Sequence, residues 1–325
     1  MGQVMDYRSS KSQRTLPQTA FLSHNQPDAD LDSGMPTITK PTKPKGKNKN
    51  KILKYTAATA DRHMLYQLSV QNVESEIDFV DETYKTLRGK HASFLREDFC
   101  GTAATTCEWL SRRESNRGVG VDLDGPTLEW GREHNLSKLE GDGASRITLL
   151  QEDVRDPGQE AMGADIVLAM NFSYWIFQKR DEIRAYFKSV LDSLDDDGLF
   201  ICDFYGGSEA MVEQEETRKV NKHFTYIWDQ HKYNPVTGEM DCKIHFKFPD
   251  GSMMMDAFEY TWRLWTLPEI REILAEAGFE DVTVYWEGTD PDDEEEGNGE
   301  FTPTTEGEAD LAFICYIVSQ KKKRD

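Results

Sequence analysis

Two periodicities organise the chain from about residue 60 onward. Val73, Ile77, Val80, Tyr84 and Leu87 recur at spacings of four, three, four and three. That spacing puts them on one face of an amphipathic helix, and Gly89 supplies the left-handed residue that ends it. A shorter helical stretch covers about 61–70. Short apolar runs then alternate with helical ones, giving strands at about 92–98, 117–122 and 146–151. Asp124-Gly125-Pro126 starts the helix after the second of these, with Asp as N-cap and Pro in the first turn. The run over 164–170 is nearly continuous in apolar residues, as in a strand covered on both faces. Ile183, Tyr186, Phe187, Val190, Leu191 and Leu194 mark a long helix, and Asp197-Gly198 turns into a fifth strand over 199–204. Strands alternating with helices predict an α/β fold built on a doubly wound, mostly parallel sheet.

The rhythm changes over 222–265. Met240, Cys242, Ile244, Phe246 and Phe248 alternate with polar residues, the pattern of a half-buried antiparallel strand. Turns at 234–238 and 250–251 divide the stretch into a three-stranded meander inserted in the larger fold. Thr266-Leu267-Pro268-Glu269 is a capping box for a helix that Gly278 closes. A sixth strand at 281–286 and a last one at 312–318 complete the pattern. Between them, 287–310 hold eleven acids and no base, the composition of a solvated loop.

Composition sets off the first 54 residues, which carry almost no apolar periodicity. They hold 10 basic and 4 acidic residues, a net of +6; the whole chain carries −21, so −27 falls on 55–325. With too little apolar surface to offset the entropy of ordering, 1–54 reads as a disordered basic tail on a very acidic domain. Such a body repels phosphate backbones, which disfavours a nucleic-acid substrate unless the Lys-rich run at 40–51 supplies the contact. No segment has the length of a membrane span or the core of a signal peptide. Five cysteines without C-x-x-C spacing fit reduced thiols and no zinc site. A cytoplasmic location follows, with a nuclear one open through the Lys-rich run.

Chemistry concentrates in Leu95-Arg96-Glu97-Asp98-Phe99-Cys100-Gly101-Thr102-Ala103, followed by Val119-Gly120-Val121-Asp122. A strand running into a small-residue turn, with an acid ending the next strand, builds a nucleotide site. A pyrophosphate loop needs G-x-G-x-x-G, and only Gly101 is present. An adenosyl ligand without phosphate needs less clearance, which favours it over a dinucleotide and disfavours an NAD-dependent oxidoreductase.

The segment resembles motif I of the class I (Rossmann-like) S-adenosylmethionine-dependent methyltransferases, hydrophobic-Asp/Glu-hydrophobic-Gly-Cys-Gly-Thr-Gly, with Phe99 and Ala103 in place of the first and last glycines. The resemblance implies a seven-stranded sheet whose last strand is antiparallel, and S-adenosylmethionine as cofactor. Carried residue by residue, it implies a cofactor site of Glu97 or Asp98, Cys100, Gly101 and Thr102. It adds the ribose-binding Asp122 with Leu123, Asp153 near the adenine amino group with Val154, and Asn171.

Asn171-Phe172-Ser173-Tyr174-Trp175 follows the fourth strand and faintly resembles the Asn-Pro-Pro-Tyr loop of methyltransferases acting on amide or adenine nitrogen, without its prolines. Asn171 and Tyr174 are therefore the catalytic candidates, Asn171 orienting the acceptor. Tyr66 on the amino-terminal helix and Arg263 in the meander are the substrate-binding candidates. For Arg263, pairing with Glu259 or another surface acid is the favoured alternative; Tyr66 is equally open to being core, and His245 is expected to be exposed. Tyr226, Trp228, Tyr260, Trp262 and Trp265 either wall an acceptor pocket or form the meander's own core. The leading expectation is metal-free methyl transfer to nitrogen or oxygen of a small molecule, with no membrane partner. Two alternatives stay open: a protein or RNA methyltransferase docking through the tail, and a cofactor-binding module without catalysis. The acceptor and the oligomeric state are not legible.

Overall fold

The computed structural model describes residues 55–291 and 297–321. The expected basic tail lies outside them. Five strands, β1 (Phe94–Asp98), β2 (Arg117–Val121), β3 (Ile147–Leu150), β4 (Ala164–Ala169) and β5 (Leu194–Gly206), pair in parallel in the order β3-β2-β1-β4-β5. Consecutive residues of β4 enter opposite cores. Val167 and Ala169 join one cluster and Ile166 and Leu168 the other, and β5 divides likewise between Phe200 and Ile201. A strand buried on both faces has no polar side, which is why its sequence lacks alternation.

Helices α1 (Arg62–Ser69), α2 (Val73–Arg88), α3 (Ala104–Arg112), α4 (Gly125–His134), α5 (Arg180–Ser193) and α6 (Leu267–Ala277) surround the sheet. Their ends follow local chemistry. Asp61 caps α1 through the Met64 amide, Asp124 caps α4 through that of Thr127, and Thr266 and Glu269 form a complete capping box on α6. Gly89 ends α2 at φ 70°. No helix among the described residues is long and apolar enough to cross a membrane.

Beyond β5 lie β10 (Glu280–Thr289), β11 (Gly297–Thr304) and β12 (Phe313–Gln320). The sheet closes in the order β5-β12-β10-β11, with β12 antiparallel to both neighbours. The sheet thus has eight strands where seven were expected. The eighth, β11, arises inside the acidic segment expected to be a loop. Phe301 pins it, its ring 4.6 Å from Tyr316 and 5.8 Å from Phe79. A second, antiparallel sheet runs β6-β7-β8-β9, from β6 (Gln214–Lys219) through β7 (Thr225–Tyr233) and β8 (Glu239–Lys247) to β9 (Met253–Arg263). The meander therefore has a fourth strand. Gln-Glu-Glu-Thr-Arg-Lys has no apolar face to announce itself, and its edge position asks for none.

Candidate active site

The strand order reverses between β1 and β4, so the crevice for a ligand lies at their carboxyl ends. The turn after β1 takes left-handed backbone at Phe99 (φ 56°), Gly101 (51°) and Ala103 (56°). Both non-glycine residues thus hold a conformation that glycine adopts most cheaply. Hydrogen bonds fix it: the Cys100 amide donates to the Val121 carbonyl (3.1 Å) and the Gly101 amide to the Asp122 carboxylate (2.8 Å). Gly120 makes room behind the turn, since a Cβ there would sit 2.8 Å from Cys100 Sγ. The Cys100 side chain is accordingly buried with Ala103 and Leu128, away from the crevice.

Asp122 also accepts from the Asp124 amide (2.9 Å) and from the Leu123 amide, which leaves its carboxylate one lone pair for a further donor. Beside it Leu123 is 64 % exposed, an apolar side chain at the end of β2 with nothing over it. An acid with free acceptor capacity next to a bare apolar surface fits a ribose and a purine ring. Thr102 accepts from Gln67 of α1 (2.8 Å). Asp153 reaches the end of β3, but Arg155 holds both its oxygens, at 2.6 and 3.0 Å, and keeps its carboxyl below the usual range. Val154 is buried, and its carbonyl accepts from Arg96 (3.0 Å).

The expectation for Glu97 or Asp98 needs correction. Alternation along β1 sends them to opposite faces, and both carboxylates have internal partners. Asp98 lies in a bidentate pair with the fully buried Arg96 (2.7 and 2.8 Å) and accepts from the Tyr186 hydroxyl (2.9 Å). Glu97 accepts from the amide and hydroxyl of Thr106 in the first turn of α3. Burial pushes its carboxyl up to about 7 despite those bonds. Through these bonds the two acids hold α3 and α5 against the sheet.

A cavity opens beside the loop after β4. One face of the second sheet forms its roof. Tyr260 and Trp262 alternate with outward residues on β9 and stack at 4.6 Å, and Trp228 of β7 lies 6.1 Å from Trp262. Tyr66 of α1 closes one side, its ring 4.9 Å from Phe258. Asn171 and Phe172 form part of the floor, both left-handed (φ 58° and 55°). Asp203 holds them there, its two oxygens accepting the Asn171 amide (2.7 Å) and the Phe172 amide (2.9 Å). The cavity also contains Glu76 from the first turn of α2. Burial pushes both carboxyls up to about 7, and the charge of Glu76 raises Asp203 further.

Of the acceptor-side candidates, Tyr66 and Asn171 line this cavity and two others do not. Tyr174 is fully buried, its hydroxyl donated to the Asp203 carbonyl (2.8 Å), because the short helical turn after Asn171 carries it beneath the loop. Arg263 lies on the opposite face of β9 from Trp262. It stacks over Trp265 (3.6 Å), pairs with Glu269 (3.3 Å) and donates to the Gln178 carbonyl (3.2 Å). Trp265 itself is buried outside the cavity lining. His245 is buried rather than exposed, because an irregularity in the β8–β9 register sets the Asp256 amide on its Nδ1 (2.8 Å). The sequence reading passed over Asp203 and Glu76. An acid inside the apolar run 199–204 was the signal for the first. Four residues before Val80, Glu76 flanks the apolar stripe of α2, a weaker signal. Among the described residues no group of three or more His, Cys, Asp or Glu is placed to hold a metal, and all five cysteines are buried and unpaired.

No family model matches the chain, and no curated protein matches it by sequence. Solved structures do match its fold. An S-adenosylmethionine-dependent methyltransferase from Clostridium acetobutylicum is 16 % identical, with a TM-score of 0.57 over 80 % of this chain and 96 % of its own. A sugar N-methyltransferase from a Streptoalloteichus species is 14 % identical, with a TM-score of 0.55 over 89 % and 100 %. The S-adenosylmethionine-bound amino pentose methyltransferase of calicheamicin biosynthesis from Micromonospora echinaspora is 15 % identical, with a TM-score of 0.55 over 80 % and 96 %. The chain has the fold of the class I S-adenosylmethionine-dependent methyltransferases.

Proposed function

We propose that the protein transfers a methyl group from S-adenosylmethionine to a nitrogen or oxygen atom of a small molecule. The observation that carries this reading is the position of the cavity. Tyr66 lines it while the next residue, Gln67, bonds the turn after β1, so an acceptor chamber and an adenosyl-shaped crevice share one wall. Gly101, Asp122 and Leu123 are the residues placed to hold the cofactor, and Asp153 joins them once Arg155 releases it. Bound there, S-adenosylmethionine would supply an electrophilic sulfonium methyl group for the lone pair of the acceptor. The chain's own residues align the acceptor and exclude water, with Asn171 at the junction of crevice and cavity. A recess walled by aromatic side chains from both sheets favours a small acceptor over a macromolecule. The acceptors named for two fold neighbours, a sugar and an amino pentose, agree with that.

Titration calorimetry with S-adenosylmethionine tests the reading. We expect saturable binding by the wild type and at least a tenfold weaker Kd in Asp122→Ala, about 1.4 kcal/mol. An unchanged Kd in the variant rejects the site, and no binding by the wild type rejects the function.

A further inference from the structure

We infer that the cavity is a site for a protonated amine, so that the methyl acceptor is an aliphatic amine and Glu76 receives the proton its nitrogen must lose. The acceptor role rests on the methyl-transfer reading; the cation site stands on the cavity itself. Half of the lining is aromatic, and its titratable side chains besides tyrosines are two carboxyls, with no Lys, Arg or His to balance them. Two carboxyls in an otherwise aromatic and apolar lining make the cavity negative once they ionise, and an anionic acceptor would be repelled by both. An alcohol gains little from them. An ammonium group gains from both charges and from the faces of Trp228, Tyr260 and Trp262 through cation–π attraction.

The two acids are not equivalent. Asp203 already accepts two backbone amides that hold the strained Asn171-Phe172 loop, so its oxygens are committed to the fold. Glu76 is 4 % exposed, and its carboxylate accepts from the Asn72 backbone at the start of α2 and, at a long 3.5 Å, from the Thr105 hydroxyl. The charge of Glu76 raises Tyr66 of α1, Glu97 of β1, Asp203 of β5 and Tyr316 of β12, acids and phenols throughout. With no cation among them, Glu76 is held near neutrality, where it exchanges a proton readily. The step balances simply. The ammonium N–H bond breaks, its electron pair stays on nitrogen as the nucleophilic lone pair, and the proton bonds to a Glu76 carboxylate oxygen.

Tryptophan fluorescence of the full-length protein, titrated with tetramethylammonium chloride against sodium chloride and against tert-butanol, tests the site without turnover. We expect saturation with tetramethylammonium only, at least tenfold weaker in Glu76→Gln. Binding by the wild type should strengthen about tenfold from pH 6 to pH 8 as the cavity carboxyls ionise, and this dependence should be distinctly smaller in Glu76→Gln, which leaves only Asp203 to titrate. Trp262→Leu serves as a second variant, expected to bind tetramethylammonium more weakly. Equal responses to tert-butanol and tetramethylammonium, or wild-type affinity in Glu76→Gln, overturn the inference. Calorimetry with S-adenosylmethionine on the same preparation separates the two readings. Cofactor binding without tetramethylammonium binding defeats the amine site alone. Tetramethylammonium binding without cofactor binding defeats methyl transfer.

Discussion

Phe99 and Ala103 stand where glycine would cost least, and they differ in what they gain from being there. Phe99 packs its ring 5.6 Å from Tyr186 and 6.1 Å from Phe177, so contact offsets the strain of its left-handed backbone. Ala103 is buried and has only a methyl group to place. Left-handed backbone costs a non-glycine residue roughly 1–2 kcal/mol, of which the greater freedom of glycine in the unfolded chain cancels part. Ala103→Gly is therefore expected to stabilise the fold by up to about 1 kcal/mol, and Ala103→Val to destabilise it, read as opposite shifts of Tm. A fall in Tm for the glycine variant would mean that the methyl contact outweighs the strain. At this scale the sequence was legible wherever chain spacing alone decides the outcome. Asp122, Asp153 and Asn171 had to reach the ends of consecutive strands. The fate of Glu97 and Asp98 depended instead on which groups of distant helices, Thr106 and Tyr186, would meet each face of β1. Tyr174 was misplaced for a like reason, since nothing in Asn-Phe-Ser-Tyr-Trp announces the helical turn that buries it.

Among the elements, α1 has the least support of its own and the most to do. At 8 residues it is too short to persist alone in water, so contacts at its two ends and along its face must hold it. Asp61 accepts from the Trp130 indole (2.9 Å), Gln67 donates to Thr102, and Arg218 of β6 donates to the Ser69 carbonyl. These bonds span the turn after β1, α4 and the second sheet, so loosening α1 opens the crevice and the cavity together. Removing the Gln67 bond costs on the order of 1 kcal/mol. Gln67→Ala should speed amide hydrogen exchange across α1 by about fivefold while amides of β4 and β5 are unchanged, the mark of local opening. A uniform acceleration would assign that bond to global stability instead. Elements with an apolar face were all readable, down to the capping boxes. Those missed, β6 and β11, are polar strands at sheet edges, where pairing needs no apolar pattern and a single anchor such as Phe301 suffices.

For the molecule as a whole, three carboxyls packed between α2, β1 and β5 work against the fold at neutral pH. Burial raises Glu76, Glu97 and Asp203 to about 7. An unfolded chain ionises them near 4, so from about pH 4 to pH 7 the folded state binds more protons and stability falls as pH rises. One such group contributes on the order of 3 kcal/mol across that window, and neighbours that repel each other share their losses rather than add them. The acidic surface, with a net charge of −21 on the whole chain, pulls the same way, but its exposed carboxylates finish titrating below about pH 6. The interval from pH 6 to pH 8 therefore isolates the buried acids, together with histidines that Glu76→Gln leaves untouched. In that interval the wild-type Tm should fall, and in Glu76→Gln it should fall by distinctly less, because the amide has no proton to lose and removes a charge from beside both Glu97 and Asp203. A cation in the cavity reverses the trend by giving the carboxylates a partner, so added tetramethylammonium should raise the wild-type Tm more at pH 8 than at pH 6. Equal slopes in the two proteins would place the titrating group elsewhere in the molecule.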